Sequence, residues 1–136
     1  MYQAESMGFT VQVDPTYIAT ESASGVVYFL YSYTVTLSNH GPDTCQLLSR
    51  HWVIRDGDGR EEHVMGDGVV GKQPFIRPGD SYTYRSGCPL PTRTGSMRGT
   101  YQMEGPERGR FTIRIPLFFL RPDSPRTYAA EASLNG

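Results

Sequence analysis

Cysteine is scarce in this chain of 136 residues. Only Cys45 and Cys88 occur, each at the edge of an expected strand. A single pair excludes a dense disulfide framework, and two reduced, small, buried thiols are the simpler reading. Spacing by itself does not decide whether they bridge. An excess of charge is also lacking: 13 Lys and Arg stand against 14 Asp and Glu, a formal net charge of −1. That excludes a field able to steer nucleic acid or an anionic membrane. No run approaches the roughly 20 apolar residues of a spanning helix. The one apolar block, residues 26–37, is interrupted by Ser32, Thr34 and Thr36, so no membrane insertion is expected. The first six residues, Met1-Tyr2-Gln3-Ala4-Glu5-Ser6, have neither a basic nor an apolar leader region. A secretory signal is therefore not expected, and the cytoplasm is the default. Finally, no segment shows a long helical period, which argues against a helical fold.

Glycine, proline and tyrosine are abundant, at 15, 10 and 9 residues. Together with short alternating segments they indicate a single all-β domain. A chain of this length buries about two-thirds of the surface it exposes when unfolded, enough to fold without a metal or disulfide. Phe9, Val11 and Val13 alternate with polar residues in a strand that Pro15 is expected to end. Residues 17–24 read as a short edge strand and loop. Residues 26–38 are the strongest strand, with Val27, Phe29, Tyr31, Tyr33, Val35 and Leu37 on one face. Val26, Tyr28 and Leu30 make the opposite face apolar at one end, so that end is expected to be covered on both sides. In the strand over 46–56, Leu48, Arg50, Trp52 and Ile54 share a face, opposite Ser49, His51 and Arg55. Tyr82 and Tyr84 mark another strand, followed by a loop over 87–94. Met97 to Met103 and Phe111 to Ile115 alternate in two more, and Pro116 should bend the last or place it at an edge. Seven or eight short strands with regularly spaced turns predict an antiparallel two-sheet sandwich of immunoglobulin or fibronectin III type. Tyr82, just after Pro78-Gly79, is similar to the tyrosine corner of such sandwiches. The domain is expected over 1–122, with a loose tail over 123–136.

The residues most able to carry a function cluster in 49–79. This stretch holds the only Trp, two of the three His and a dense run of glycines. Asp56-Gly57-Asp58-Gly59 is a hairpin turn, not an EF-hand loop, because the further ligands and flanking helices are missing. Gly66-x-Gly68-x-x-Gly71 matches a dinucleotide fingerprint as a string. Pro74 and Pro78 forbid the helix whose N-terminus would hold a pyrophosphate. Gln73 likewise stands where a P-loop needs Ser or Thr. What survives is an anion nest of backbone N–H groups at Gly66, Gly68 and Gly71, helped by Lys72 or Arg77. The competing reading makes these glycines bulges and tight corners.

His51 and His63 could meet or not, depending on the hairpin. A two-residue loop puts them on opposite faces; a three-residue loop puts both on one face. A third and fourth metal ligand would still be needed, so no metal site is assigned. No nucleophile elbow, Cys–His frame or matched carboxylate pair is visible, so no catalytic residue and no cofactor is assigned.

Several of these motifs together resemble the ApaG family. They are Ser49-Arg50-His51-Trp52, Asp56-Gly57-x-Gly59, Gly66-x-Gly68-Val69-Val70-Gly71-x-Gln73-Pro74, Pro78-Gly79, Tyr84-x-Ser86-Gly87, Gly95-x-Met97-x-Gly99-x-Tyr101-x-Met103, and Phe111 with Ile115-Pro116-x-Phe118-x-Leu120. The resemblance covers about Phe9 to Pro122. It implies a small fibronectin III-like sandwich, bacterial when it stands alone, with similar domains serving binding in eukaryotic F-box proteins and a polymerase-δ-interacting protein. It also implies a link to cobalt and magnesium efflux, a neighbouring diadenosine-polyphosphate hydrolase gene, and a nucleotide or pyrophosphate ligand at Gly66, Gly68 and Gly71. The expected function is a non-enzymatic binding module. Arg50, His51, Trp52, Lys72 and the glycine loop would face a protein partner or a small anionic ligand. An accessory role in divalent-cation homeostasis is the first alternative, and an enzyme acting on phosphoanhydrides the second. An exposed strand edge leaves a homodimer open.

Overall fold

The computed structural model describes residues 1–122; the tail expected over 123–136 lies outside the described residues. Nine strands follow one another: β1 (Tyr2–Ser6), β2 (Phe9–Ala23), β3 (Val26–Asn39), β4 (Cys45–Asp56), β5 (Glu61–Asp67), β6 (Phe75–Ile76), β7 (Ser81–Leu90), β8 (Gly95–Gly105) and β9 (Gly109–Leu120). They form two antiparallel sheets, β1-β2-β3-β7 and β5-β4-β8-β9, with β6 paired to the start of β4. No helix occurs among the described residues. The all-β sandwich is thus as expected. The strands beyond the expected seven or eight include the short β1 and the two-residue β6, too brief for alternation to reveal.

Inward residues of both sheets make one core. Tyr101, Phe9, Phe118, Leu37 and Leu47 are among its fully buried side chains. Each contributes about 1.5–3 kcal/mol relative to exposure. Trp52, only 2 % exposed, meets Tyr101 and Phe118 edge-on, at ring-centroid distances of 6.3 and 5.9 Å.

Four expectations about strand ends and faces are corrected. Pro15 does not end its strand: β2 runs on to Ala23, with a bulge between Tyr17 and Ala19. The pairing of β1 stops at Tyr2 opposite Val13. Beyond it β2 has a partner on one side only, and an edge position tolerates a missing N–H. The apolar end of β3 is not covered on both sides either. Val26 and Val27 are 45 % and 46 % exposed, because β2 and β3 extend past the end of β7, whose last pair is Phe29 with Leu90. Leu48 does not share a face with Trp52. A bulge between Leu47 and Ser49 shifts the alternation, so Leu47 and Trp52 both point into the core. Residues 87–90 continue β7 and do not form a loop. In β9 the register shift does fall beside Pro116 on a terminal strand. Odd residues face inward through Ile115, and even residues from Pro116 to Leu120.

Asn39, not Tyr82, ties the Pro78-Gly79 corner among the described residues. Its backbone carbonyl accepts the Gly79 amide at 2.8 Å, and its side-chain Nδ2 donates to the carbonyls of Asp43 and Ile76. A fully buried amide side chain with these partners satisfied is a stable anchor.

Candidate functional site

β5 and β7 are terminal strands of opposite sheets. Where they face each other the sandwich opens into a cavity of about 260 Å³. Its lining includes Arg50 and Trp52 from β4, Tyr33 from β3, Ser86 and Cys88 from β7, and Glu62 from β5, whose carboxylate is not within ion-pair distance of Arg50. A site of this size suits a small ligand, since drug-sized molecules occupy about 300–1,000 Å³.

Arg50 is the group with chemistry to spare. Nη1 donates to the carbonyl oxygens of Asp67 and Gly68, both at 3.0 Å. No carboxylate lies within ion-pair distance, and Nε and Nη2 have no acceptor among the described residues. Gly66 stands opposite Arg50 in the ladder. A Cβ on Gly66 would come within 3.0 Å of Nη1 and 3.3 Å of Cζ. The missing side chain is what lets the guanidinium lie flat across β5.

Burial governs the other polar groups. It pushes the pKa of the Tyr33 phenol up, against the opposing effects of a Ser86 hydrogen bond and the Arg50 charge. Burial likewise raises Tyr84 and Tyr101, whose hydroxyls hydrogen-bond to each other. Arg50 opposes the rise in all three. Burial pushes the Cys88 thiol up to about 12, with the Glu62 carboxylate adding to it. Cys88 is therefore a thiol at neutral pH and not an activated nucleophile. Cys45 and Cys88 are both free and buried.

The glycine segment is a tight turn. Val69 and Lys72 exchange backbone hydrogen bonds at 2.8 and 3.0 Å around Val70 and Gly71, whose φ values are +47° and +76°. Two consecutive positive φ angles are the signature of a mirror-image hairpin turn. Gly68 has φ +63°, and a Cβ there would lie 2.3 Å from the Lys72 carbonyl oxygen. The Gly68 amide donates to the Leu48 carbonyl at 2.8 Å. The amides of Gly68, Val69 and Lys72 are thus taken within the protein. Lys72 is exposed, in no ion pair among the described residues.

The expected site residues therefore separate. Arg50 and Trp52 come together at the cavity, and Gly66 lies against the Arg50 guanidinium without lining the cavity itself. Gly68 supports them by accepting from Arg50. Gly71 and Lys72 belong to the turn beyond, and His51 lies on the other face of β4. Sequence reasoning missed Tyr33, Ser86 and Cys88, which arrive from the facing sheet. The Tyr84-x-Ser86-Gly87 motif was their one visible signal.

Comparison with known proteins fits this picture. The family model described as the ApaG domain matches residues 19–105. The chain belongs to the ApaG family. Protein ApaG of Methylobacterium sp. (strain 4-46) is 48% identical over 120 residues, covering 88% of this chain and 92% of that one. Protein ApaG of Pseudomonas paraeruginosa is 53% identical over 110 residues, covering 81% and 87%. The crystal structure described as the ApaA protein of Bordetella pertussis superposes with a TM-score of 0.77 at 44% identity. It covers 85% of this chain and 95% of its own. The ApaG match begins inside β2 and ends with β8, so it spans every cavity residue named above.

Proposed function

We propose that this ApaG domain is a non-enzymatic binding module whose ligand is a small anion with an apolar body, held between the sheets by Arg50. The observation that carries this is the guanidinium itself: half-buried, with no carboxylate within ion-pair distance among the described residues, and laid across Gly66 beside an open cavity. Leaving a charge in such a place is costly unless something pairs with it. A guanidinium with two free donor positions matches the two oxygens of a carboxylate or phosphate. The Tyr33 and Ser86 hydroxyls supply further polar contacts, and Trp52 supplies an apolar wall.

Because Trp52 is the only tryptophan and lines the cavity, its fluorescence is the readout. The protein is titrated with acetate, benzoate, inorganic phosphate, diphosphate, ATP and a diadenosine polyphosphate. The expected result is a saturable change in emission with at least one of them, lost in Arg50→Gln while the unfolding midpoint stays near that of the unsubstituted protein. No change in Trp52 emission, and no shift of the Gly66, Ser86 and Cys88 amides at millimolar ligand, would overturn the proposal.

A further inference from the structure

The outer face of β4 and β5 carries a second constellation that owes nothing to the Arg50 cavity. The turn between these strands has a three-residue loop, residues 57–59, closed by the Asp56 amide on the Arg60 carbonyl at 3.0 Å. The resulting register pairs Val53 with His63 and His51 with Met65. Side chains alternate along a strand, so His51, His63 and Met65 all stand on one face. The diagonal pair closes to contact: His51 Nε2 and His63 Nδ1 are 2.9 Å apart, on exposed rings.

That spacing has a second meaning besides a hydrogen bond. Two imidazole nitrogens, each about 2.0–2.1 Å from one ion and at right angles to each other, lie about 2.9 Å apart. The pair therefore already has the spacing of one edge of a coordination polyhedron, and a rotation of the exposed rings would aim both nitrogens at one ion. Met65 stands directly across the ladder from His51 and is 70 % exposed. Its thioether rides on three rotatable bonds and can swing to a neighbouring ion.

We propose that His51, His63 and Met65 form a surface site for a copper ion. Two imidazoles and a thioether are a borderline-to-soft donor set. Such a set prefers copper to zinc and disfavours the hard, oxygen-seeking magnesium ion. Two carboxylates share this face: Glu61, held by Arg98 at 3.3 Å, and Asp67, two residues beyond Met65 and opposite Ser49. Among the described residues no third His, Cys, Asp or Glu joins the pair. The thioether is then what selects the ion: zinc finds two protein donors, cuprous copper three. Both facing nitrogens must be unprotonated to bind. The ring that donates in the hydrogen-bonded pair therefore moves its proton to its other nitrogen, with no net change in charge. Remaining coordination positions stay open to water or a donor from another molecule.

The test titrates the full chain with Cu²⁺, with Ag⁺ as a redox-inert stand-in for cuprous copper, and with Zn²⁺. Calorimetry and NMR of the imidazole and methionine methyl groups follow binding. One equivalent of Cu²⁺ or Ag⁺ should saturate a site that shifts His51, His63 and the Met65 methyl group. His51→Ala and His63→Ala should each abolish it. Met65→Ala should weaken Ag⁺ binding and leave the weaker Zn²⁺ binding unchanged. His40→Ala, Met7→Leu and Arg50→Gln should leave all three ions unaffected. Absence of saturable binding, or binding that survives both histidine substitutions, overturns the site. Ag⁺ affinity unchanged in Met65→Ala overturns its assignment to copper. The substituted side chains are exposed or half-exposed, and a native far-ultraviolet circular dichroism spectrum confirms each variant's fold.

Discussion

The two faces of β4 differ more than its two ends. From Arg50 to Val53 the chain places four residues in a row. Arg50 and Trp52 turn between the sheets, and His51 turns outward to meet His63. The inner face is largely buried: it raises the pKa of phenols and a thiol and leaves a guanidinium with no carboxylate within ion-pair distance among the described residues. The outer face is wet, and its imidazoles are paired with each other. Four consecutive letters of sequence thus face two unlike environments. A candidate site drawn as one contiguous patch, Arg50, His51 and Trp52 together, mixes them.

The sharpest way to break this comparison is to truncate one residue on each face. Trp52→Ala should destabilise by about 3–5 kcal/mol, the range for a large aromatic removed from a packed core. His51→Ala, on the outer face, should stay within about 0.5 kcal/mol, as surface substitutions usually do. Urea unfolding of both variants measures the contrast. Equal losses would mean that the outer pair is part of the structural frame.

Alkaline pH sharpens the same contrast, because the groups with raised pKa all lie inside. A thiol or phenol whose pKa is raised by folding supports the fold fully below its unfolded pKa. That support fades as pH climbs toward the folded value. For Cys88 the window runs from about 9 to about 12, and the buried tyrosines join from about 10 upward. Cys88 alone should cost about 1.4 kcal/mol for each pH unit inside its window. Unfolding curves at pH 8, 9 and 10 should therefore slide downward, with a shallower slope in Cys88→Ala. A flat profile would place Cys88 in contact with water.

Much of the architecture was legible in the sequence because alternation is a local property. Phe9, Val11 and Val13, or Phe111, Ile113 and Ile115, announce a half-buried strand by themselves. What could not be read was anything set by two strands at once. The bulge after Leu47 depends on how β4 meets β8, and it reversed the expected facing of Leu48. Pro15 was read as a stop because its edge position depends on where β1 ends. The hairpin loop left two registers open for His51 and His63, and only pairing chose between them. The cavity was the least legible feature. Tyr33, Arg50 and Ser86 belong to three strands in two sheets, and no spacing along the chain reports their meeting. From the sequence, Gly66 takes a role through its backbone N–H; the structure adds that its bare Cα makes room for Arg50.

The glycines themselves supply the finest test, since two of them in one turn carry different burdens. Gly68 and Gly71 both hold positive φ, but only Gly68 has backbone in the way, with the Lys72 carbonyl oxygen 2.3 Å from the position of a Cβ. Gly71 has nothing within 4 Å. Gly71→Ala should therefore cost only the left-handed backbone penalty, about 1–2 kcal/mol. Gly68→Ala adds a collision with main chain that no rotamer change relieves. It must push Lys72 away and strain the carbonyl that Gly68 offers to Arg50. Its loss should exceed that of Gly71→Ala by a kilocalorie per mole or more. Because Gly68 touches Arg50, Gly68→Ala should also weaken the Trp52 response to anions, which Gly71→Ala leaves intact. If both substitutions cost the same and neither alters that response, the turn is only a connector and Arg50 is held from elsewhere.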